Sequence, residues 1–452
     1  MAETAEKESV QERLDTLHEA LSKPDLIAIR EILQDLHPAE IALLLESLPT
    51  DQRNLLWEQV DPSVDGDILL HVNDNLRATL IDEMESHELV AAAGTLDLDD
   101  LADLLPEMPE DVIAELLQGM DDQHRERLES VRHYDEKSAG GLMNVDTITI
   151  RADISLDVVL RYLRRLGQLP ENTDNLMVVN REGIYLGLLP LTMLLTHSPD
   201  DRVEGLMLNP NDGILATTPA QEVATLFEHR DLISAPVIDE AGKLLGRITI
   251  DDVVDVIRER ADHDFMGMAG LTEEEDIFAP IVASSRRRAV WLGINLLTAL
   301  LASWVIGLFD ATIEQLVALA VLMPIVASMG GIAGSQTLTL VIRAQALGQI
   351  SSSNARQLLR KEIGVGLLNG IIWAIVLAVV AGVWFQSHPL GIVIGAAIMV
   401  NLFVAALAGA TIPLMLKKLG ADPALAGSVV LTTVTDVIGF FAFLGLAALF
   451  LV

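Results

Sequence analysis

Residues 289–309 read AVWLGINLLTALLASWVIGLF, 21 consecutive positions without a charge. A helix rising ~1.5 Å per residue needs about 20 apolar residues to cross the ~30 Å hydrocarbon core of a bilayer, so this stretch is long enough to span one. Toward the C-terminus the pattern repeats. A second uncharged run covers 315–342. Between Ile363 and Leu416 lie 54 residues whose only titratable side chain is His388, too many for one helix, and Gln386-Ser387-His388-Pro389 divides them in two. The last run, from Pro423 to Val452, is interrupted only by Asp436. Five spans is the simplest count.

The basic residues test that count. With five spans, the segment before the first, the loop between the second and third and the loop between the fourth and fifth share one side. They carry Arg286-Arg287-Arg288, then Arg343, Arg356, Arg360 and Lys361, then Lys417-Lys418. The other two loops hold Asp310 and Glu314 and no Lys or Arg. The positive-inside rule then predicts a multi-pass protein of the cell (inner) membrane, with the N-terminal domains cytoplasmic and the C-terminus outside.

Working outward to the N-terminus, the character reverses. The 452 residues carry a formal charge of −35 although 51% are apolar. Residues 289–452 hold six basic and five acidic side chains, so residues 1–288 carry 24 basic and 60 acidic ones, a net of −36. A nucleic-acid binder is disfavoured, because neutralising phosphates needs clustered Lys and Arg. With no cysteine there is no disulfide, thiolate zinc site or Cys nucleophile. The opening MAETAEKESV is acidic and has no apolar core, so a cleaved signal peptide is not expected. No G-x-S-x-G, H-E-x-x-H or P-loop pattern occurs, and no enzyme is expected.

Residues 1–130 hold 33 acidic and 8 basic residues. Segments such as AEIALLLESL and EDVIAELLQGM place Leu, Ile and Val at helical spacing, which predicts an all-helical stack of short hairpins. From about Val131 the pattern becomes strand–helix–strand–strand–helix, twice, about 65 residues apart. The second copy runs ILATTP, QEVATLFEHRD, SAPVIDE, KLLGRITI and DDVVDVIRER. This layout resembles a tandem pair of CBS domains, which bind regulatory ligands, often adenosine nucleotides such as ATP. The nucleotide-associated Thr-x-x-Asp is present as Thr249-Ile250-Asp251-Asp252, whereas the first copy has Pro190-Leu191-Thr192-Met193. At most one nucleotide site, on Thr249 and Asp252, is implied.

Chemistry concentrates in two places. Asp436 falls near the middle of the last span, where an ionised carboxylate costs ~2.5–3.5 kcal/mol and calls for a cation or a water-filled path. Thr432, Thr433 and Gly439 are expected on its helix face. With oxygen donors and only His388 as a nitrogen ligand in this half, the inventory suits a hard ion, Mg²⁺ or Ca²⁺. The glycines of Gly330-Gly331-Ile332-Ala333-Gly334-Ser335-Gln336 allow close helix approach or expose carbonyls to a cavity, and Gly366-x-x-x-Gly370 and Gly391-x-x-x-Gly395 add small-residue faces. The second place is the helix after the last strand, where Asp251, Asp255 and Glu259 repeat every four residues, with Asp252, Asp262 and Asp264 beside them. Divalent cations screening this stripe against the acidic N-domain, for example Asp99 and Asp103, would couple ion level to domain closure.

The whole order resembles the MgtE family of magnesium channels/transporters. The matching strings are HPAEIALLLESLP, YDEKSAGGLM, GGIAGSQ and DPALAGSVVLTTVTDVIGFF. The resemblance implies a homodimer with a pore at the subunit interface, closed when cytosolic Mg²⁺ binds between N-domain, CBS pair and connecting helix. It places the pore aspartate on Asp436, the DPAL aspartate on Asp422, and sensor acids on Asp99, Asp103, Asp252, Asp255 and Asp264. Arg260 and His263 stand where the family pattern favours acids, and Ile332 where Asn is common.

The expected fold is therefore a multidomain membrane protein. It comprises an all-α superhelical N-domain (1–130), an α/β tandem CBS pair (131–196 and 197–250), a connecting helix and linker (251–285) and a five-helix α transmembrane domain (286–452). The expected function is Mg²⁺-selective, Mg²⁺-gated import across the membrane, with Mg²⁺, the lipid bilayer and a second copy as partners. The metal candidates are Asp436, Asp422, Thr432, Asp99, Asp103, Asp252, Asp255, Glu259 and Asp264. Two alternatives stay open: transport of another divalent cation such as Co²⁺, and a non-conducting membrane-anchored CBS sensor.

Overall fold

The computed structural model describes residues 26–96, 98–120, 125, 128, 133–170, 172–208, 213–272, 276–351 and 353–452. The chain forms two compact units, Met1–Arg260 with Glu274–Ala279, and Ala261–Glu273 with Pro280–Val452.

The first unit opens with short helices: α1 (Leu26–Gln34), α2 (Pro38–Glu46), α3 (Thr50–Trp57), α4 (Asp65–His71), α5 (Asp74–Glu83), α6 (Ser86–Ala93), α7 (Leu98–Leu104) and α8 (Glu110–Gly119). Local chemistry starts them. His37 and Glu40 close a capping box on α2 with Pro38 at its first position, and the Asn73 side chain accepts from Leu76 N to cap α5. Each helix is too short to be stable alone. Their buried Leu and Ile rows, including Ile29, Leu45, Leu56, Ile68 and Leu80, supply one continuous core.

The two strand–helix–strand–strand–helix copies follow. The first is β1 (Thr149–Arg151), α9 (Leu156–Leu166), β2 (Asn175–Val179), β3 (Tyr185–Pro190) and α10 (Leu191–Thr196), with α11 (Val203–Leu206) after it. The second is β4 (Ile214–Leu215), α12 (Ala220–Arg230), β5 (Ser234–Ile238), β6 (Leu244–Thr249) and the long α13 (Ile250–Met268). In each sheet the first strand runs parallel to the second and the second antiparallel to the third. The glycines of Ser138–Met143 let that segment run along the second copy, where Ala139 N and Gly140 N donate to the Thr218 and Ala216 carbonyls. A Cβ on Gly141 would meet the Asp135 carbonyl at 2.5 Å. Val223, Phe227, Val237 and Ile248 of the second copy join the helical core, while the first copy keeps a separate one.

The second unit contains five helices long and apolar enough to cross a membrane: α14 (Ile281–Gly307), then after a short α15 (Asp310–Gln315), α16 (Ala318–Ala346), α17 (Ala355–Trp384), α18 (His388–Lys418) and α19 (Pro423–Phe450). The first begins eight residues before the uncharged run because Ile281–Arg288 continue the same helix. Residues 385–387 separate α17 from α18, with Gln386 in the left-handed region at φ 53°. The α18 helix is the most buried of the five and packs against α16, α17 and α19. The GxxxG pairs serve this packing: a Cβ on Gly395 would stand 2.9 Å from the Ala374 carbonyl, and Gly366 faces Ala406. The glycines of α16 do not break that helix, which stays continuous through Gly334 even with Pro324 inside it.

One buried ion pair ties the first unit together. Arg53, 5% exposed, donates to the Leu45 and Leu48 carbonyls and makes two bonds, 3.0 and 3.2 Å, to Asp276. Removing one partner of a buried pair strands the other, so Arg53→Ala is expected to cost about 3–5 kcal/mol. Arg30→Ala, which loses an exposed bond to Gln59, should stay within about 0.5 kcal/mol. Denaturant unfolding of the full chain in detergent measures both, and equal midpoints would refute the assignment.

Candidate functional site

Two membrane helices share a groove. Ser328, Gly331, Ile332, Ser335, Gln336 and Thr339 of α16 line a cavity of ≈790 Å³ together with Thr432 and Asp436 of α19. The spacing explains the faces: positions 328, 332, 335 and 339 fall three or four apart on one helix, as do 432 and 436 on the other. A second hollow of ≈800 Å³ shares Gln336 and Thr339 and continues to Arg343, Gln349 and Asn354.

Two of the groove's hydroxyls keep their protons within their own helices. Thr432 Oγ1 donates to the Ser428 carbonyl and Ser335 Oγ to the Gly331 carbonyl, both at 2.8 Å. Each hydroxyl proton is spent on its own helix, so oxygen lone pairs remain for the groove. Asp436 lies 13 residues after Pro423 and 14 before Phe450, at the centre of α19, about 20 Å from either end at ~1.5 Å per residue. It makes no hydrogen bond or ion pair with any described residue. Lone pairs and one carboxylate form a surface suited to a hard cation. No cluster of three or more His, Asp or Glu able to hold a metal occurs among the described residues. A single chain therefore offers one carboxylate, leaving most of a cation's positions to water or to a second copy.

Sequence reasoning placed Thr432 and Asp436 together, and the groove unites them. Thr433 is not among the lining residues, its hydroxyl donating to the Val429 carbonyl, and Gly439 faces the buried Asn401 in the helix interior instead. Ile332 is 58% exposed and puts an apolar side chain on the wall, beside Ala327. Asp422 lies outside the groove as the N-cap of α19. Its Oδ1 accepts from Ala424 N at 2.7 Å and its Oδ2 meets His263 Nε2 of α13.

The acids of the first unit sit elsewhere. Asp251 accepts from Asn172 Nδ2 at 2.8 Å, and Asp252 Oδ2 turns back to the Thr249 hydroxyl and amide at 3.3 and 3.4 Å. Asp255 and Glu259, on the first half of α13, remain exposed to solvent. Partial loss of water raises the Asp255 carboxyl, against the opposing fields of Arg258 and His71. Glu259 is raised by the same loss and then by Asp74 and Asp255. The N-domain groups facing this stripe are thus His71 and Asp74, at the junction of α4 and α5, beside Arg77, which pairs with Asp74 and Glu107. Nothing in the linear sequence singled out Asp74, since only the fold brings position 74 to position 259. The side chains of Asp99 and Asp103, both in α7, lie outside the described residues. Asp264 is half-buried on the last part of α13, in the second unit. In the N-domain, Asp65 is pushed up to about 6 by burial, with Glu88 and Asp61 adding to it.

The MgtE family, described as a divalent cation transporter, matches residues 323–446, the MgtE intracellular N domain matches 36–137 and the CBS domain matches 203–259. The magnesium transporter MgtE of Thermus thermophilus is 32% identical over 443 residues, 96% of this chain and 98% of that one. The chain belongs to the MgtE family. MgtE of Bacillus subtilis is 26% identical over 93% of this chain and 94% of its own. The cytosolic domain of the Mg²⁺ channel MgtE in complex with ATP, 31% identical, covers 54% of this chain and 99% of that chain at a TM-score of 0.49. As an MgtE family member the chain is a transporter and not an enzyme.

The raised carboxyls fix a pH dependence. A carboxyl whose folded pKa exceeds its unfolded value binds more protons in the folded state. Stability therefore falls as pH rises from the ordinary carboxylate range, about 4, through the folded value, about 6 for Asp65. Asp65→Asn and Glu259→Gln are expected to raise the unfolding midpoint at neutral pH and to flatten its decline over that window. Thermal scans at several pH values check this, and an unchanged or steeper decline contradicts it.

Proposed function

We propose that this chain imports Mg²⁺ as a channel-type transporter, with the α16–α19 groove as one wall of the ion path. The observation that carries the reading is the Asp436 carboxylate, centred in a membrane helix, without a partner among the described residues, in a groove shared with the Thr432 and Ser335 hydroxyl oxygens. Mg²⁺ sheds water reluctantly and is held through one or two carboxylates with waters retained, which suits one aspartate per chain. The groove is open along its length, and a second copy would close it, bringing two Asp436 carboxylates to one divalent ion. The distribution of Arg and Lys supports insertion in the cell's inner membrane with the first unit cytoplasmic.

Closure by cytosolic Mg²⁺ is the regulatory half of the proposal. Asp255, Glu259 and Asp74 oppose one another, and a divalent ion among them would replace repulsion with attraction in the compact state alone. The α13 helix carries this stripe on its first part and Asp264 on its last, and so runs from one unit into the other. Asp99, Asp103, Asp252 and Asp264 complete the proposed sensor acids, and Asp422, the DPAL aspartate at the start of α19, is a separate metal candidate. Thr249 at the end of β6 and Asp252 in the first turn of α13 are the proposed contacts for ATP.

Mg²⁺ uptake in a strain lacking its own importers tests the path. Asp436→Ala should reduce uptake to the empty-vector level, and uptake equal to wild type removes the pore assignment. Patch recordings test the gate. Neutralising Asp252, Asp255 and Asp264 together should raise open probability at high cytosolic Mg²⁺, and unchanged gating removes the sensor.

A further inference from the structure

Asn401 stands on α18 with none of its surface exposed, and it belongs to neither wall of the groove. Its Nδ2 donates to the Val326 carbonyl of α16 at 2.7 Å, whereas its buried Oδ1 accepts no hydrogen bond from a described residue. Two glycines enclose the amide. A Cβ on Gly330 of α16 would run into the Asn401 side chain, and one on Gly439 of α19 would lie 2.8 Å from Nδ2 and 3.1 Å from Oδ1. Each glycine thus turns a Cα hydrogen toward the amide, a contact much weaker than an ordinary hydrogen bond.

An amide oxygen left without a strong partner in the interior is costly, and an apolar side chain would fill the space without that cost. Packing alone does not account for Asn401. Its contacts do. Val326 and Gly330 neighbour the groove residues Ala327 and Gly331 on α16, and Gly439 follows Asp436 by three residues on α19. Pro324 lacks the N–H that would donate to the Ala320 carbonyl, so the α16 ladder is already interrupted six residues before the carbonyl that Asn401 grips. A directional bond to the carbonyl fixes the rotation of α16, and the amide wedged between two glycines fixes its separation from α19.

We propose that Asn401 is the positioning residue of the groove, setting the width and register of the two walls that face the ion. The inference rests on reading the groove as the cation path. A wall displaced by even a methyl group changes the fit to Mg²⁺, which holds its waters in a strict octahedron, relative to Ca²⁺, which tolerates irregular coordination.

The test uses the purified full chain in liposomes, with Mg²⁺ and Ca²⁺ fluxes giving KM, Vmax and the ratio of the two ions. Gly330→Ala and Asn401→Ala should each change the Mg²⁺ KM or the Mg²⁺/Ca²⁺ ratio by at least about threefold, as expected for a small misplacement of coordinating groups. The double variant Gly330→Ala/Asn401→Ala should lie nearer wild type than Gly330→Ala alone, because the methyl enters the space the amide leaves. Unchanged KM and ratio, with Vmax falling only as folded protein recovered by size exclusion falls, overturns the proposal. A double variant worse than both singles also overturns it. Asp436→Asn in the same series reports on the path itself, and wild-type flux there removes the groove reading whatever the Asn401 variants do.

Discussion

A carboxylate at the centre of a membrane helix is the constraint around which the second unit is built. Asp436 lies about 20 Å of helix from either end of α19, and no Lys or Arg occurs within the uncharged runs to neutralise it. Its charge is tolerable only on a surface that admits water or a cation. The hydroxyls around it are arranged accordingly. Thr432 and Ser335 give their protons to helix carbonyls, so these two hydroxyls turn oxygen lone pairs rather than protons toward the groove.

Holding such a wall in place requires a rigid support behind it, and α18 provides that support. Its buried residues are mostly Ala, Gly, Leu and Ile, and its neighbours meet it through glycines whose missing side chains let backbones approach. In lipid there is no hydrophobic gain from bringing apolar helices together, so close van der Waals packing must hold the bundle. The buried amide of Asn401 is the polar exception within this helix and contacts both groove helices.

Much of this was legible in the chain. Charge-free runs and the alternation of basic loops located the five spans, because bilayer thickness and the cost of burying charge act on every residue alike. The double strand–helix pattern was legible because each copy pairs its own three strands within a short stretch of chain. Asp436 and Thr432 were legible as a pair because one helical turn separates them. Asn401, Asp74 and the glycines facing Asn401 were not, because their roles arise from contacts between elements remote in sequence. Asn401 is 75 residues from the carbonyl it holds. The glycines of α16 showed a different limit: their number allowed either a broken helix or a tight one, and only the packing partners decide between them.

The turn between α17 and α18 has a further consequence for how an ion first meets the protein. Residues 385–387 reverse the chain in three positions, using the left-handed backbone of Gln386. With the connection at 308–317, these are the links between spans on the face opposite the basic loops, and Asp310 and Glu314 are the acidic side chains there. A funnel of fixed charge that concentrates ions from a distance needs more than that. On the proposed reading, with that face outside, supply at this mouth follows bulk concentration and the membrane voltage, which acts on each elementary charge by ~2.3 kcal/mol per 100 mV and on a divalent ion twice over. For the proposed import, the driving field is then borrowed from the membrane rather than built into that face of the protein.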